Sequence, residues 1–287
     1  MTRLVYIHGR QQQNLDAQEQ KDRWTKALRA GLEAQGLDLP LADADIKFAY
    51  YGDTLDALER QVPHPDVIIK GDELALEGAE VAFMAGVLES VARSFDDFGA
   101  DGEEVIEKGL ANNPKVLQLL RWLNTHHPEV GAPILFLRTH DVYRYVTNAR
   151  VFTLINDGVK PALAPNEPNI VVSHSLGTVI AYSILSSLSR ADAWDIPLFV
   201  TLGCPLGVSK IKSSLAKVAF PSVVGDWLNA YDPLDVVALH PLDKDTFPTS
   251  RPIENRGKVV NSAEDHHGIE DYLGDPIVSA RIRAAIT

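Results

Sequence analysis

Asn169-Ile170-Val171-Val172-Ser173-His174-Ser175-Leu176-Gly177 runs without a break into TVIAYSILSSLSR, ending at Arg190. Ile170 to Val172 form a short β-branched run, which reads as a buried strand. Val179, Ile180, Ile184 and Leu188 then recur at helical spacing. A strand that turns this abruptly into a helix holds the residue at the turn in positive φ and lifts its side chain above the sheet. That residue is Ser175. The helix must pack back closely, so the positions two before and two after the serine need small residues, and Ser173 and Gly177 occupy them. The helix N-terminus behind Ser175 favours negative charge developing on an attacked carbonyl. A bare Ser-x-Gly arises about once by chance in a chain of this length. Its position between strand and helix gives it weight.

The flanking sequence extends the same pattern. Leu4 to Ile7 read as a strand ending at His8-Gly9. Trp24, Ala27, Leu28, Gly31 and Leu32 mark a helix with Gly36 as its stop, and Ile46, Phe48 and Tyr50 alternate as a strand ending at Gly52-Asp53. Strand, helix, strand predicts a right-handed βαβ unit and a parallel sheet. After the serine turn, PLFVTLG and DWLNAY read as strands, KVVN (258–261) as a short last one, and DPIVSARIRAAI as a helix with Pro276 in its first turn. Residues 54–130 interrupt the alternation. Leu74, Val81, Met84, Leu88, Val91 and Phe95 predict one helix there, and Val116, Leu119, Leu120 and Leu123 a second, with the acidic stretch DDFGADGEEVIE between them. With no Pro/Gly/Ser-rich linker bounding it, this region reads as a helical cap inserted into a single domain of 1–287. Its apolar stripes serve equally as core-facing surfaces or as a lipid-binding face. Residues 134–163 are ambiguous, with helix expected over 141–163. The fold class expected is therefore α/β, a mostly parallel central sheet flanked by helices.

Composition narrows the partners. A chain of 287 residues can bury roughly 70% of its surface, enough for a core without staples. The formal charge of −12 opposes phosphate-rich partners, so no nucleic acid is expected. The one cysteine, Cys204, excludes an intrachain disulfide and a multi-cysteine metal cage, and fits a reducing compartment. MTRLVYIHGR has too few apolar residues before His8 for a signal-peptide core, and no run of about 18 apolar residues suggests a transmembrane segment. A cytoplasmic location is the expectation. The oligomeric state is not legible.

Five stretches in order, VYIHG (5–9), SHSLG (173–177), TLGCPLG (201–207), NAYDPLDVVA (229–238) and HHGIEDYL (266–273), give a chain that resembles the α/β-hydrolase superfamily in its esterase/lipase-like serine hydrolase branch. The resemblance spans nearly the whole length. Two departures stand out: Ser173 replaces the usual Gly, and the chain begins at what would be the family's third strand, so an antiparallel edge is not expected. The triad order in that superfamily is Ser, then acid, then His. The resemblance implies Ser175 as nucleophile and Asp235, with Val237 two residues on, as acid. Asp232 is the alternate, otherwise a turn-capping residue. His267, followed by Gly-Ile and Tyr272-Leu273, is implied as base, with His266 as the alternate. The imidazole takes the Ser175 proton and passes it on while the acid fixes its tautomer. Leu176 N–H and a second amide, from Arg10 after the first strand, are expected to form the oxyanion hole. His8 and His174 are read as structural, and Cys204 as a small buried filler.

Other clusters are weaker. Glu264, Asp265, His266, His267, Glu270 and Asp271 resemble a metal set on paper but lack HExxH spacing, so a solvated acidic loop is expected and no metal. HGRQQQ has one Gly and no Lys, which does not support a phosphate loop, and no cofactor is expected. The activity expected is metal-independent cleavage of a small-molecule or lipid-like carboxylic ester through an acyl-enzyme. Acyl transfer, thioester cleavage and amide hydrolysis use the same residues, and a non-catalytic binding protein on the same fold is the alternative from another class.

Overall fold

The computed structural model describes residues 2–9, 15–54, 78–98, 114–127, 130–189, 193–238, 240–262 and 265–287. Arg10, Leu74, Glu264 and most of the acidic stretch within the 54–130 insertion lie outside them. Among the described residues six strands form one sheet: β1 (Arg3–Ile7), β2 (Ile46–Ala49), β3 (Asn169–His174), β4 (Ile196–Leu202), β5 (Val224–Ala230) and β6 (Glu254–Arg256). They run in the order β2-β1-β3-β4-β5-β6 and every pairing is parallel. An α/β fold with a helix-flanked parallel sheet is what the sequence predicts.

Strand pleating sorts side chains to the two faces. Leu4 and Tyr6 of β1, Ile170 and Val172 of β3, and Leu198, Val200 and Leu202 of β4 point to one core. That core is completed by α1 (Ala17–Glu33), α8 (Ile269–Gly274) and α9 (Pro276–Ile286). Helix α1 begins at Asp16, whose carboxylate accepts from Glu19 N–H at 2.9 Å, and lays Trp24, Leu28 and Leu32 on the sheet. Gly36, at φ +71°, ends the segment as expected. In α9, Asp275 caps the amides of Ile277 and Val278, and Pro276 fills the first turn.

Val5, Ile7, Val171, Phe199 and Trp227 face the other core. It holds α6 (Leu176–Ser187) and the helices α2 (Gly78–Ala92), α3 (Pro114–His126), α4 (Ala132–Thr147) and α5 (Ala149–Val159). Helices α2, α3 and α4 pack on one another, α4 also packs on α6, and α2 meets the short α7 (Ser209–Lys212). Met84, Leu88 and Val91 of α2 and Val116, Leu119, Leu120 and Leu123 of α3 are buried in the same continuous core as the sheet. The described parts of these two apolar stripes therefore face protein. No described helix is long and apolar enough to cross a membrane.

Two local expectations are corrected and one ambiguity is resolved. KVVN is not a strand: Val259 is buried but Val260 is 85% exposed, and the last strand is the polar Glu254–Arg256. Tyr50 falls outside β2, which ends at Ala49. The ambiguous region is two helices broken at Asn148, whose side chain accepts from Arg150 and Val151 N–H and so starts α5 as α4 ends.

Candidate active site

The strand order places the site. From β1 the chain moves to β2 on one side, then returns past β1 to β3 on the other. In open α/β sheets a crevice forms at such a switch point, outside the carboxyl ends of the strands. Here those ends are Ile7-His8-Gly9 and Ser173-His174-Ser175.

Ser175 stands between β3 and α6 at φ +53°, ψ −127°, a conformation that non-glycine residues adopt at a cost of about 1–3 kcal/mol. Its surroundings hold it there. Its amide donates to Leu202 O at 3.1 Å, and its carbonyl accepts from Thr178 N–H at 2.9 Å and Thr178 Oγ1 at 2.7 Å. A Cβ on Gly177 would lie 2.3 Å from both Ile7 O and His8 O, so only glycine lets α6 pack this closely on β1. Ser173 is fully buried and donates Oγ to Val200 O at 3.0 Å. It begins a polar row across the sheet, through register partners Thr201, Asn229 and Asn255. Thr201 Oγ1 donates to Asn229 Oδ1, and Asn229 Nδ2 to Asn255 Oδ1, each at 2.9 Å, which satisfies these groups beneath the site.

Asp235 and Asp232 share the loop after β5, and both accept a backbone amide two residues on, from Val237 at 2.9 Å and Leu234 at 2.8 Å. Their other partners differ. Asp235 Oδ2 accepts His267 Nδ1–H at 2.6 Å and the Tyr272 hydroxyl at 2.7 Å, all buried. Burial alone would raise the Asp235 carboxyl. His267, the Tyr272 hydroxyl and the Val237 amide outweigh it and hold the carboxyl below its usual range. Asp232 Oδ2 accepts Asn261 N–H at 3.0 Å and lies 3.2 Å from His266 Nδ1. Asn261 Nδ2 donates in turn to the carbonyls of His266 and Gly268. The Asp232–His266 pair thus straps the loop that carries His267. Tyr272 joins the two acids: its hydroxyl donates to Asp235 and accepts from Asp232 N–H at 3.0 Å.

His267 is fixed on several sides. Its amide donates to Asp265 Oδ1 at 3.1 Å and its carbonyl accepts His174 Nε2–H at 2.9 Å. Its ring lies over Gly203, where a Cβ would come within 2.8 Å of Cε1. Its Nε2 is buried without a hydrogen-bond partner, and His267 and Ser175 line the same cleft of about 250 Å³. Serine and imidazole are not hydrogen-bonded to each other, as is common before substrate tightens such a site. His266 does not line that cleft.

The remaining sequence candidates have structural partners. Burial, with the nearby His267 and Arg138 charges, holds the His174 imidazole well below its usual range. Cys204 is buried and its thiol is pushed up to about 11 by burial, which leaves no thiolate near neutrality. Asp265 serves the His267 amide, Glu270 pairs with Arg23, and Asp271 accepts Ser262 N–H at 2.9 Å. The residues that sequence reasoning passed over are Tyr272 as a ligand of Asp235, Gly203 beneath the His267 ring, and Arg138, which lines the cleft from α4. Gly203 left a trace as the glycine in TLGCPLG, and Tyr272 as part of HHGIEDYL, though not its bond to Asp235.

His8 donates Nδ1–H to Gly9 O at 2.5 Å and accepts Tyr51 N–H at Nε2 at 3.0 Å, stacked on Tyr51 with ring centres 4.0 Å apart. Protonation at Nε2 would set two N–H groups against each other. Burial lowers this imidazole from 6.5 to about 4, with the Gly9 bond partly offsetting it. Because the folded value lies below the unfolded one, the contribution is complete above about pH 6.5 and is lost as pH falls toward 4, worth about 3 kcal/mol in all. Urea unfolding at pH 7 and pH 4.5 measures it. The wild type is expected to lose most of that amount between them, and His8→Gln clearly less.

Comparison of the chain with family models, with curated proteins and with solved structures gave no match. The class that fold and site define on their own is an α/β protein with a six-stranded parallel sheet, carrying a strained serine and a buried carboxylate–imidazole pair at its switch point.

Proposed function

We propose that the protein is a serine hydrolase of α/β-hydrolase type that cleaves a carboxylic ester, with Ser175 as nucleophile, His267 as base and Asp235 as the acid that orients it. The observation that carries this reading is the buried Asp235–His267 pair with an unpartnered Nε2, in one cleft with a serine held at positive φ. Nδ1–H is committed to Asp235, so Nε2 carries the lone pair that accepts the serine proton.

In the proposed cycle Ser175 Oγ attacks the ester carbon as its proton passes to His267 Nε2. The carbonyl electrons move to oxygen, beside the amide of Leu176, the first of α6, which has no intrahelical acceptor. When the tetrahedral species collapses, the carbon–oxygen bond to the alcohol breaks and the imidazolium returns its proton to that oxygen. Water then attacks the acyl-enzyme and gives its proton to His267. Collapse releases the carboxylic acid and restores the Ser175 hydroxyl. Asp235 stays ionised throughout and stabilises the imidazolium. Arg10, expected to supply the second oxyanion amide, lies outside the described residues. The buried, protonated thiol of Cys204 supports a serine nucleophile and is compatible with the cytoplasmic location we include in the proposal.

A fluorophosphonate probe tests the reading. Folded wild type is expected to label, and Ser175→Ala to lose the label completely. A folded wild type that does not react, or a Ser175→Ala variant that reacts equally well, ends the proposal.

A further inference from the structure

Two spaces of opposite character meet at Ser175, and they divide the substrate between them. On one side is the cleft of about 250 Å³, where Arg23, Arg138, Asp265 and Glu270 stand beside His267. On the other is a crevice of only about 20 Å³, lined by Val87 of α2, Leu135 and Val142 of α4, and Val208 and Val237. Ser175 and Arg138 line both. The crevice residues belong to the core that joins the cap helices to the sheet, so its walls are packed on their outer sides as well.

The chemistry assigns each space to one half of an ester. His267 Nε2 must return its proton to the departing alcohol oxygen, so the alcohol lies on the side that His267 lines. His267 lines the large polar cleft and not the crevice. The acyl group, which stays on Ser175 Oγ, is left with the apolar side. On the same measure the crevice has less than a tenth of the room of the cleft, so it accepts a short acyl chain and not a long one.

The alcohol side carries both signs of charge, two guanidinium groups and two carboxylates, with Arg23 paired to Glu270. A net anion meets Asp265 and Glu270 there, and a net cation meets the two arginines. An uncharged hydroxyl group can donate to the carboxylates and accept from the guanidiniums at once. Resting on the serine hydrolase reading above, we infer that the substrate is a short-chain acyl ester of an uncharged, hydroxyl-rich alcohol, such as an O-acetylated sugar, and not a long-chain lipid.

The test is a kcat/KM series. p-Nitrophenyl acetate, propionate, butyrate and octanoate are compared after division by each ester's rate constant with hydroxide, and 6-O-acetylglucose is compared with cyclohexylmethyl acetate by acetate release. The expected result is at least a 10-fold advantage of the acetyl or propionyl ester over the octanoyl ester. A similar advantage is expected for the sugar ester over its apolar counterpart. Leu135→Ala, or the smaller Val142→Ala should the first not fold, is expected to move the chain-length optimum to butyrate or beyond. An octanoate optimum in the wild type overturns the acyl assignment, and so does an optimum that neither folded variant moves. Equal or better turnover of cyclohexylmethyl acetate overturns the alcohol assignment. Fluorophosphonate labelling in the same preparation separates the two levels. A labelled protein with the wrong preference refutes this inference alone, whereas absence of labelling in folded wild type removes the hydrolase reading beneath it.

Discussion

Asp235→Asn is expected to lower kcat by about 10⁴-fold, with the fold intact, because the substitution reverses the tautomer of His267. The hydrogen bonds dictate how the new amide sits. The Val237 N–H, 2.9 Å from Oδ1, holds the amide oxygen at that position. The NH2 group then replaces Oδ2, facing His267 Nδ1 and the Tyr272 hydroxyl. The hydroxyl can adapt, since it is rotatable and can turn to accept. The imidazole must take its proton on Nε2 in order to accept at Nδ1, and an Nε2–H cannot remove the Ser175 proton. Asp232→Asn should behave differently. Asp232 meets only backbone amides and His266, so its loss loosens the strap over residues 261–268, lowers stability and reduces kcat by about 10-fold. Burst and steady-state kinetics on both variants, beside urea melts, separate the two. A larger loss in Asp232→Asn would assign the orienting acid to Asp232, and equal losses would show that the bond from Asp235 does not set the His267 tautomer as described.

The two acids also show where local sequence stops being informative. Both aspartates accept the amide of the residue two further on, so D-P-L and D-V-V produce the same local turn. What distinguishes them is contact with residues 32 and 37 positions later in the chain, and no short pattern carries that. The serine turn was legible for the opposite reason. An apolar strand, a small residue two positions to each side of Ser175 and an apolar helix all lie within one contiguous stretch, and the constraint on Gly177 is steric and local. β6 was not legible because its sequence, Glu254-Asn255-Arg256, has none of the alternation that marks a half-buried strand. Asn255 secures it instead through bonds to Asn229 and to the backbone of Leu242, and polar residues suit an edge strand that must not pair with other chains. KVVN carried the expected apolar pair, yet its backbone makes no strand pairing and exposes Val260 to solvent. The two spaces on either side of Ser175 had no sequence signal at all. The walls of the crevice come from α2, α4, α7 and the loops after β4 and β5, and those of the cleft from α1, α4, α8 and the segment that carries His267, elements that meet only in the folded chain.

Gly177→Ala is expected to cost about 4 kcal/mol or more, at the extreme of single substitutions, or to prevent folding. The added Cβ would sit 2.3 Å from two carbonyl oxygens, and neither can give way. Ile7 is clamped in the parallel ladder between Ala49 of β2 and Ser173 of β3, and His8 O accepts the Tyr51 hydroxyl. Relief requires α6 to withdraw from β1 by about 1 Å, the distance by which the contact falls short of ordinary van der Waals separation. That withdrawal would pull Ser175 away from the Leu202 carbonyl that holds its amide, so activity should disappear with stability. Gly158→Ala provides the contrast within the same chain. It lies in the exposed face of α5, and a Cβ there meets nothing within 4 Å. Alanine at that position should stabilise by up to about 1 kcal/mol through helix propensity and a less flexible unfolded chain. Urea unfolding of the two variants reads the difference directly. A Gly177→Ala protein within about 1 kcal/mol of wild type would mean that α6 does not approach β1 as described, and the strained geometry at Ser175 would lose its physical basis.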